Sequence, residues 1–526
     1  MLNRSRFLLL TFAVSQSLPA QVNVLMNRYD AYSHSVNSHE TTLTASNVNG
    51  KIFGRLYRYY VDGAVYAQPL FVHGVVVGGM PRNLLFVATM NDKVYAFDAQ
   101  QSGPPVWLRD FTDERAGVTP VPVSDITNSN DLNVVGNAGI EGTPVIDLAA
   151  QAMYLVARTK ENGHYVQRLH KLDLRSGDDQ APPVVIEARV KGGAKDARDG
   201  FVTFDPKGGN QRTALALSNG RVVIAWASHE DIRPYHGWIM SYDATSLKQE
   251  GVLCVTANSE DGGIWQSGRG PAVDASGALY FEVGNGGWDG KQDFGNSVIK
   301  VRAEGSRLWV DDFYTPHDYA QQNAKDADLG SSGPMLFPEK GVLLCGNKQG
   351  ELFALDPTHL GGLTEDDLGR KQAVALKSGR LMAGPAYWEG PGGPELFVWN
   401  EAGVLEMLRF GGPLLDDTVG AKGRVASHGS PGGALTVSSD GTKAGTGIVW
   451  ATVGTSKSAD HGNADGTVHA FNAETLEELW SSEGDAKRDR MGTLVKFVPP
   501  LIVDGRVYVV SYDNAVNIYG LLDGRR

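Results

Sequence analysis

Apolar residues in this chain fall in short runs separated by polar or glycine-rich turns, and the spacing of an amphipathic helix is almost absent. One stretch shows the pattern most clearly. Gln68-Pro69 leads into Leu70-Phe71-Val72, and Leu84-Leu85-Phe86-Val87-Ala88-Thr89 follows. The polar turn Asn91-Asp92-Lys93 then leads to Val94-Tyr95-Ala96-Phe97-Asp98, with Trp107 on a fourth run. Runs of this length bounded by turn residues predict four short strands.

The unit recurs. A small residue and Pro open it at Thr143-Pro144, Gly270-Pro271, Gly333-Pro334, Gly384-Pro385, Ser430-Pro431 and Pro499-Pro500. At Arg212-Thr213 the Pro is missing, but the apolar run from Ala214 to Leu217 follows in register. The third run recurs at 169–173, 239–243, 352–356 and 468–472. Eight copies, starting near 69, 144, 213, 271, 334, 385, 431 and 500 and spaced by 46 to 75 residues, match four-stranded blades with insertions.

The expected fold is therefore all-β, an eight-bladed β-propeller of four-stranded antiparallel blades spanning 53–526. No single blade can bury both of its faces alone, so the blades stack radially around a channel. The last copy ends after three strands, at 516–520, whereas 53–59 is a strand with no unit before it. This N-terminal strand is expected to join the C-terminal blade and close the ring, leaving 21–52 as an N-terminal arm. The chain has 2 Cys, Cys254 and Cys345. They fall on blades three and five, which are not neighbours, so both are expected to be buried thiols without a bridge.

Composition narrows the setting. Of 526 residues, 42% are hydrophobic, enough for a large core. Residues 1–20 read as a signal peptide: Arg4 and Arg6 precede an apolar run over 7–14, and Ser17-Leu18-Pro19-Ala20 offers a cleavage site after Ala20. No cysteine follows for a lipoprotein anchor, so the expectation is a secreted or periplasmic protein. No later stretch is apolar for the ~18 residues of a membrane span. Removing Arg4 and Arg6 moves the net charge from −12 to −14. A chain this acidic with no basic run is a poor partner for nucleic acid. Acidic charge and closed sheets are compatible with a monomer.

The run Val-Tyr-Ala-Phe-Asp-Ala with an outer-strand Trp resembles the pyrroloquinoline quinone (PQQ) enzyme repeat. Longer stretches resemble a group of secreted bacterial PQQ-like propellers with the quinoprotein alcohol dehydrogenase-like fold. They are Tyr235-His236-Gly237-Trp238, Gly263-Ile264-Trp265-Gln266-Ser267-Gly268, Asp328-Leu329-Gly330-Ser331-Ser332-Gly333 and Lys496-Phe497-Val498-Pro499-Pro500-Leu501. The resemblance covers about 25–522 and implies the fold. Such propellers serve both as dehydrogenases and as non-catalytic scaffolds. Dehydrogenases of this kind carry adjacent cysteines over the cofactor, and this chain has no Cys-Cys pair and no cytochrome c attachment motif.

The repeat also says where a site belongs. The start of strand one and the turn between strands two and three share one face of the ring, and insertions there build a binding surface. Blade three inserts 228–236, blade four 284–293 and blade seven 458–466. The expected ligand-binding face comprises Glu141, His229, Tyr235, His236, Trp265, Arg269, Asn285, Trp288, His428 and His461. His229 and His236 are spaced too loosely for a firm metal pair. Asp460, Asn463 and Asp465 suggest a loose calcium loop, although the EF-hand register fails. Asp326 and Asp328 flank a tight turn and serve either structure or chemistry. Trp265 either stacks on a ligand or wedges between blades, while Trp107 and Trp480 are core positions. No Gly-x-Ser-x-Gly or His-Glu-x-x-His motif is present.

Two functions remain open. One is a scaffold that binds a small molecule, a glycan or a protein through its loop-rich face. The other is a PQQ- and calcium-dependent dehydrogenase of an alcohol or sugar, as the resemblance implies. In that case Asp289, Asp293, Asp326 or Asp328 would supply the base and Trp265 the stacking floor.

Overall fold

The computed structural model describes residues 21–127, 133–460 and 462–522. The signal-peptide reading of 1–20 falls outside them. Eight four-stranded antiparallel sheets form the blades of a propeller. Blade one runs Leu70–Val77, Met80–Ala88, Lys93–Asp98 and Trp107–Asp110, and each later copy repeats this order. Blades two and three each gain a further short strand, Val118–Pro120 and Gly209–Asn210, paired to their second strands. Among the described residues no helix is long and apolar enough to cross a membrane.

The continuous apolar runs have a direct structural cause. Side chains alternate across a strand. Leu84, Phe86 and Ala88 face blade two, packing with Ile146, Met153 and Leu155. Leu85 and Val87 face the opposite way, onto Tyr508, Val510 and Ile518 of blade eight. Both faces are interior, so both must be apolar. The outer-strand tryptophans lock the next blade. Trp107 donates its indole N–H to Leu174 O at 3.0 Å, and Trp480 packs edge-on against Phe53 and Tyr519 of blade eight.

The residue that ends strand three is a turn former. The carboxylate of Asp98 accepts the N–H of Gln100 at 3.2 Å, and Asp173, Asp243 and Asp356 do the same two residues on. In blade seven Asn472 takes the role, accepting from Glu474 at 2.8 Å.

Closure occurs as the repeat requires. Phe53–Tyr60 pairs antiparallel with Ala515–Leu521, from Phe53 opposite Leu521 to Tyr60 opposite Ala515. Cys254 ends the outer strand of blade three and Cys345 lies on the second strand of blade five; both are free and buried.

The arm ahead of that strand threads the lower channel. Its backbone carbonyls accept N–H groups from the innermost strands of blades two, four, five, six and seven. Leu25 O accepts from Ile146, Ala31 O from Val273, Tyr32 O from Leu336, His34 O from Tyr387 and Ser35 O from Val437. Val24 pairs with Phe71 of blade one, and the Tyr29 hydroxyl exchanges hydrogen bonds with Ile502 of blade eight. Arg28, 1% exposed, sits on the axis and donates to Leu435 O, Ala383 O and Phe497 O, ahead of or within three different blades.

Candidate functional site

With the arm below, the axis opens as a cavity of about 360 Å³ on the face formed by the strand-one starts and the turns between strands two and three. Blades four and five build one wall. The Trp265 indole donates to Asp328 Oδ2 at 2.8 Å. Lys348, from the short turn of blade five, lies 3.0 and 3.1 Å from the two Asp326 oxygens and 3.4 Å from Asp328 Oδ2. Its ammonium also sits 5.5 Å from the Trp265 ring centroid. Burial pulls the Lys348 ammonium down, but Asp328 and Asp326 together leave it above the ordinary lysine value. Asn285 closes the network, donating to Asp326 Oδ1 at 2.7 Å. Asp326 takes a left-handed conformation, φ 51°, where the helix Tyr319–Lys325 ends.

The long turn of blade three forms a second wall. His229 is buried and its Nε2 accepts from Arg158 at 2.6 Å. Burial, then Arg158 and Arg212, push its pKa well down, so the ring is neutral with its proton on Nδ1. The Tyr235 hydroxyl donates to Asp231 at 2.9 Å, and burial raises that carboxyl above its usual range. On the third wall Arg380 reaches Asp460 at 2.7 Å and Glu401 at 2.8 Å, while Lys496 donates to Asp460 O at 2.8 Å.

Of the residues expected at the face, His229, Tyr235, Trp265, Asn285, Asp326, Asp328 and Asp460 line this cavity. Others lie elsewhere. His236 is buried between Thr256 O, at 3.0 Å, and Asp196, at 3.1 Å. Trp288 donates to Thr315 at 2.9 Å and packs on Tyr319. Asp289 accepts the N–H groups of Lys291, Gln292 and Asp293, and Asp293 accepts that of Asn258, so both stabilise loops. Arg269 is buried near the axis, tied to Ser33 O and Pro385 O. Glu141 lies in a small chamber directly beneath the cavity, with its Oε1 3.6 Å from Arg212.

His428 is exposed, and His461 is outside the described residues. In the blade-seven loop, Asp460 is paired with Arg380, Asn463 is half-buried and Asp465 is exposed. Among the described residues no three His, Cys, Asp or Glu side chains converge as a metal-binding group.

Apart from Arg269, the cations around this cavity are not among the residues expected at the face. Arg158 and Arg380 carry no motif, and Arg212 and Lys496 fall within repeat entries without standing out as charges. Their one signal is position: Arg212 directly precedes the first strand of its copy, and Arg380 and Lys496 stand four to five residues ahead of Pro385 and Pro500.

No known family profile and no curated protein sequence matches the chain. Solved structures do match in fold. The quinohemoprotein alcohol dehydrogenase ADHIIG from Pseudomonas putida HK5 superposes with a TM-score of 0.56 at 15% identity, over 95% of this chain and 80% of that one. The quinohemoprotein alcohol dehydrogenase from Comamonas testosteroni gives 0.55 at 14%, over 97% and 82%. The chain thus shares the propeller fold of these dehydrogenases, and at these identities the likeness is one of fold.

Proposed function

We propose that the protein is an exported propeller that binds a small polar molecule in its axial cavity. The observation that carries this reading is the Lys348, Asp326, Asp328 and Trp265 network at the wall of a cavity that the arm backs from below. Fixed charges of both signs, an indole and a phenol converge on one space, the pattern expected of a ligand site. The opening signal supports export and the absence of a basic run supports a partner other than nucleic acid. N-terminal sequencing of the mature chain checks the first point, with a chain still beginning at Met1 as the opposing result.

A quinoprotein dehydrogenase is the second reading, favoured by the shared fold. The lining fits part of its cofactor: Arg212, Arg380 and Lys496 suit the carboxylates of PQQ, and Trp265 offers an indole beside them. It does not fit the calcium. The Lys348 ammonium already stands between the two carboxylates that such an ion would need.

Calorimetric titration with PQQ, with and without Ca²⁺, and with a panel of sugars, polyols and small acids tests both readings. Saturable binding that Lys348→Ala weakens is the expected result, and silence across the panel overturns it. PQQ binding that requires calcium, with dye-linked oxidation of an alcohol, would replace it with the dehydrogenase.

A further inference from the structure

The cations of the cavity are not alike. Lys348 is held by two carboxylates, Arg380 by Glu401 and Asp460, and Lys496 by a backbone carbonyl. Among the described residues, Arg212 has a single polar side-chain contact, to Glu141 Oε1, and at 3.6 Å it is too long for a hydrogen bond. Its guanidinium is placed by rings instead, 4.9 Å from the Phe497 centroid and 6.0 Å from that of Tyr66. It borders both the cavity and the chamber beneath. A guanidinium stacked on aromatic faces keeps its N–H fork free in the plane, the geometry that takes a carboxylate through two parallel bonds.

The neighbouring residue supplies the opposite need. Asn210 is 4% exposed and borders the same cavity. Its Oδ1 is buried with no hydrogen-bond partner. A buried acceptor left unpaired costs free energy unless a ligand or water donates to it. A fork of donors with no hydrogen-bonded carboxylate, lining the same cavity as an orphan acceptor, is complementary to a carboxylate whose adjacent carbon carries a donor.

We infer that the cavity takes 2-hydroxy or 2-amino acids, with Arg212 holding the carboxylate and Asn210 Oδ1 accepting from the neighbouring hydroxyl or ammonium. This rests on the ligand-binding reading and names its ligand class. The cavity of about 360 Å³ leaves room for a body beyond that head group.

The test is calorimetric titration of the full chain with lactate, alanine, propionate, lactamide and glucose. Lactate or alanine, which separate the hydroxyl from the ammonium source, is expected to bind at least about ten-fold tighter than propionate, and lactamide to fail. Arg212→Gln is expected to lose about ten- to a hundred-fold in affinity. Arg212→Lys, which keeps the charge without the fork, is expected to weaken binding while melting as the parent does. Asn210→Ala is expected to erase the preference for lactate over propionate. Lactamide binding as tightly as lactate, or Arg212→Gln binding unchanged, overturns the inference. Glucose binding with no acid binding overturns it while leaving the ligand-binding reading intact, and silence from every probe removes both.

Discussion

The indole N–H of Trp265 donates to Asp328 Oδ2 at 2.8 Å, while Asp328 Oδ1 accepts the backbone N–H of Gly330 at 2.9 Å. One carboxylate therefore fixes both an aromatic ring at the cavity wall and the turn leading into blade five. A structural role and a place at the cavity, which look like alternatives in sequence, coincide in this residue.

That coincidence makes Lys348 the informative substitution. Lys348→Ala leaves Asp326 and Asp328 facing one another without their shared cation. The expected loss is about 1–3 kcal/mol in denaturant unfolding. Millimolar Ca²⁺ is expected to raise the melting temperature of the variant and leave that of the parent unchanged, because the vacated carboxylates then attract a cation.

Arg28 staples the arm to the ring. Arg28→Ala removes the donors of two buried carbonyls, those of Ala383 and Phe497, leaves Leu435 O with the Ser35 hydroxyl alone, and opens a hole on the axis. The expected loss is of the order of 2–4 kcal/mol, read as a lower urea midpoint with an unchanged slope.

Glu282 sets a pH dependence. It is fully buried beside Arg269 and Cys345, and its Oε2 accepts the N–H of Gly333 at 2.8 Å. Burial raises its pKa from 4.5 to about 8, against the pull of the backbone N–H groups of Gly333 and Gly346. The folded state thus holds a proton that the unfolded state has released between those values. This contribution is present in full below pH 4.5 and is lost as pH rises to about 8, by a few kcal/mol. Glu282→Gln is expected to flatten that slope in urea titrations run from pH 5 to 8.

The two thiols are expected to be silent in the native state. Cys254 is 5% exposed and burial pushes its thiol up to about 12, while Cys345 is 1% exposed and raised by burial and by Glu282. A thiol-specific chromogenic reagent should find no reactive thiol in buffer and 2 in denaturant, the count in the sequence.

Much of the fold was legible because a repeat announces itself several times over. The Asp that ends strand three recurs because each blade makes the same side-chain-capped turn, and the apolar runs recur because each blade is covered on both faces. The site was legible only in part. Trp265, Asp326 and Asp328 stand at strand-one starts and reach the cavity, whereas Trp288, Asp289 and Asp293 sit in an inserted loop that folds onto itself. Repeat position tells which face a loop occupies, and it does not tell which way its side chains turn.

By itself the sequence determined the number of blades, their order and the closure of the ring by 53–59, since these follow from local alternation and a count of copies. Only the tertiary structure decided that the arm backs the channel, that Lys348 bridges Asp326 and Asp328, and that Arg212 faces Glu141 without a hydrogen bond on the cavity that Asn210 also borders. Those facts depend on contacts between residues far apart in the chain, such as Arg28 with Phe497 and Trp265 with Asp328, and no local pattern encodes which distant partner satisfies a buried charge.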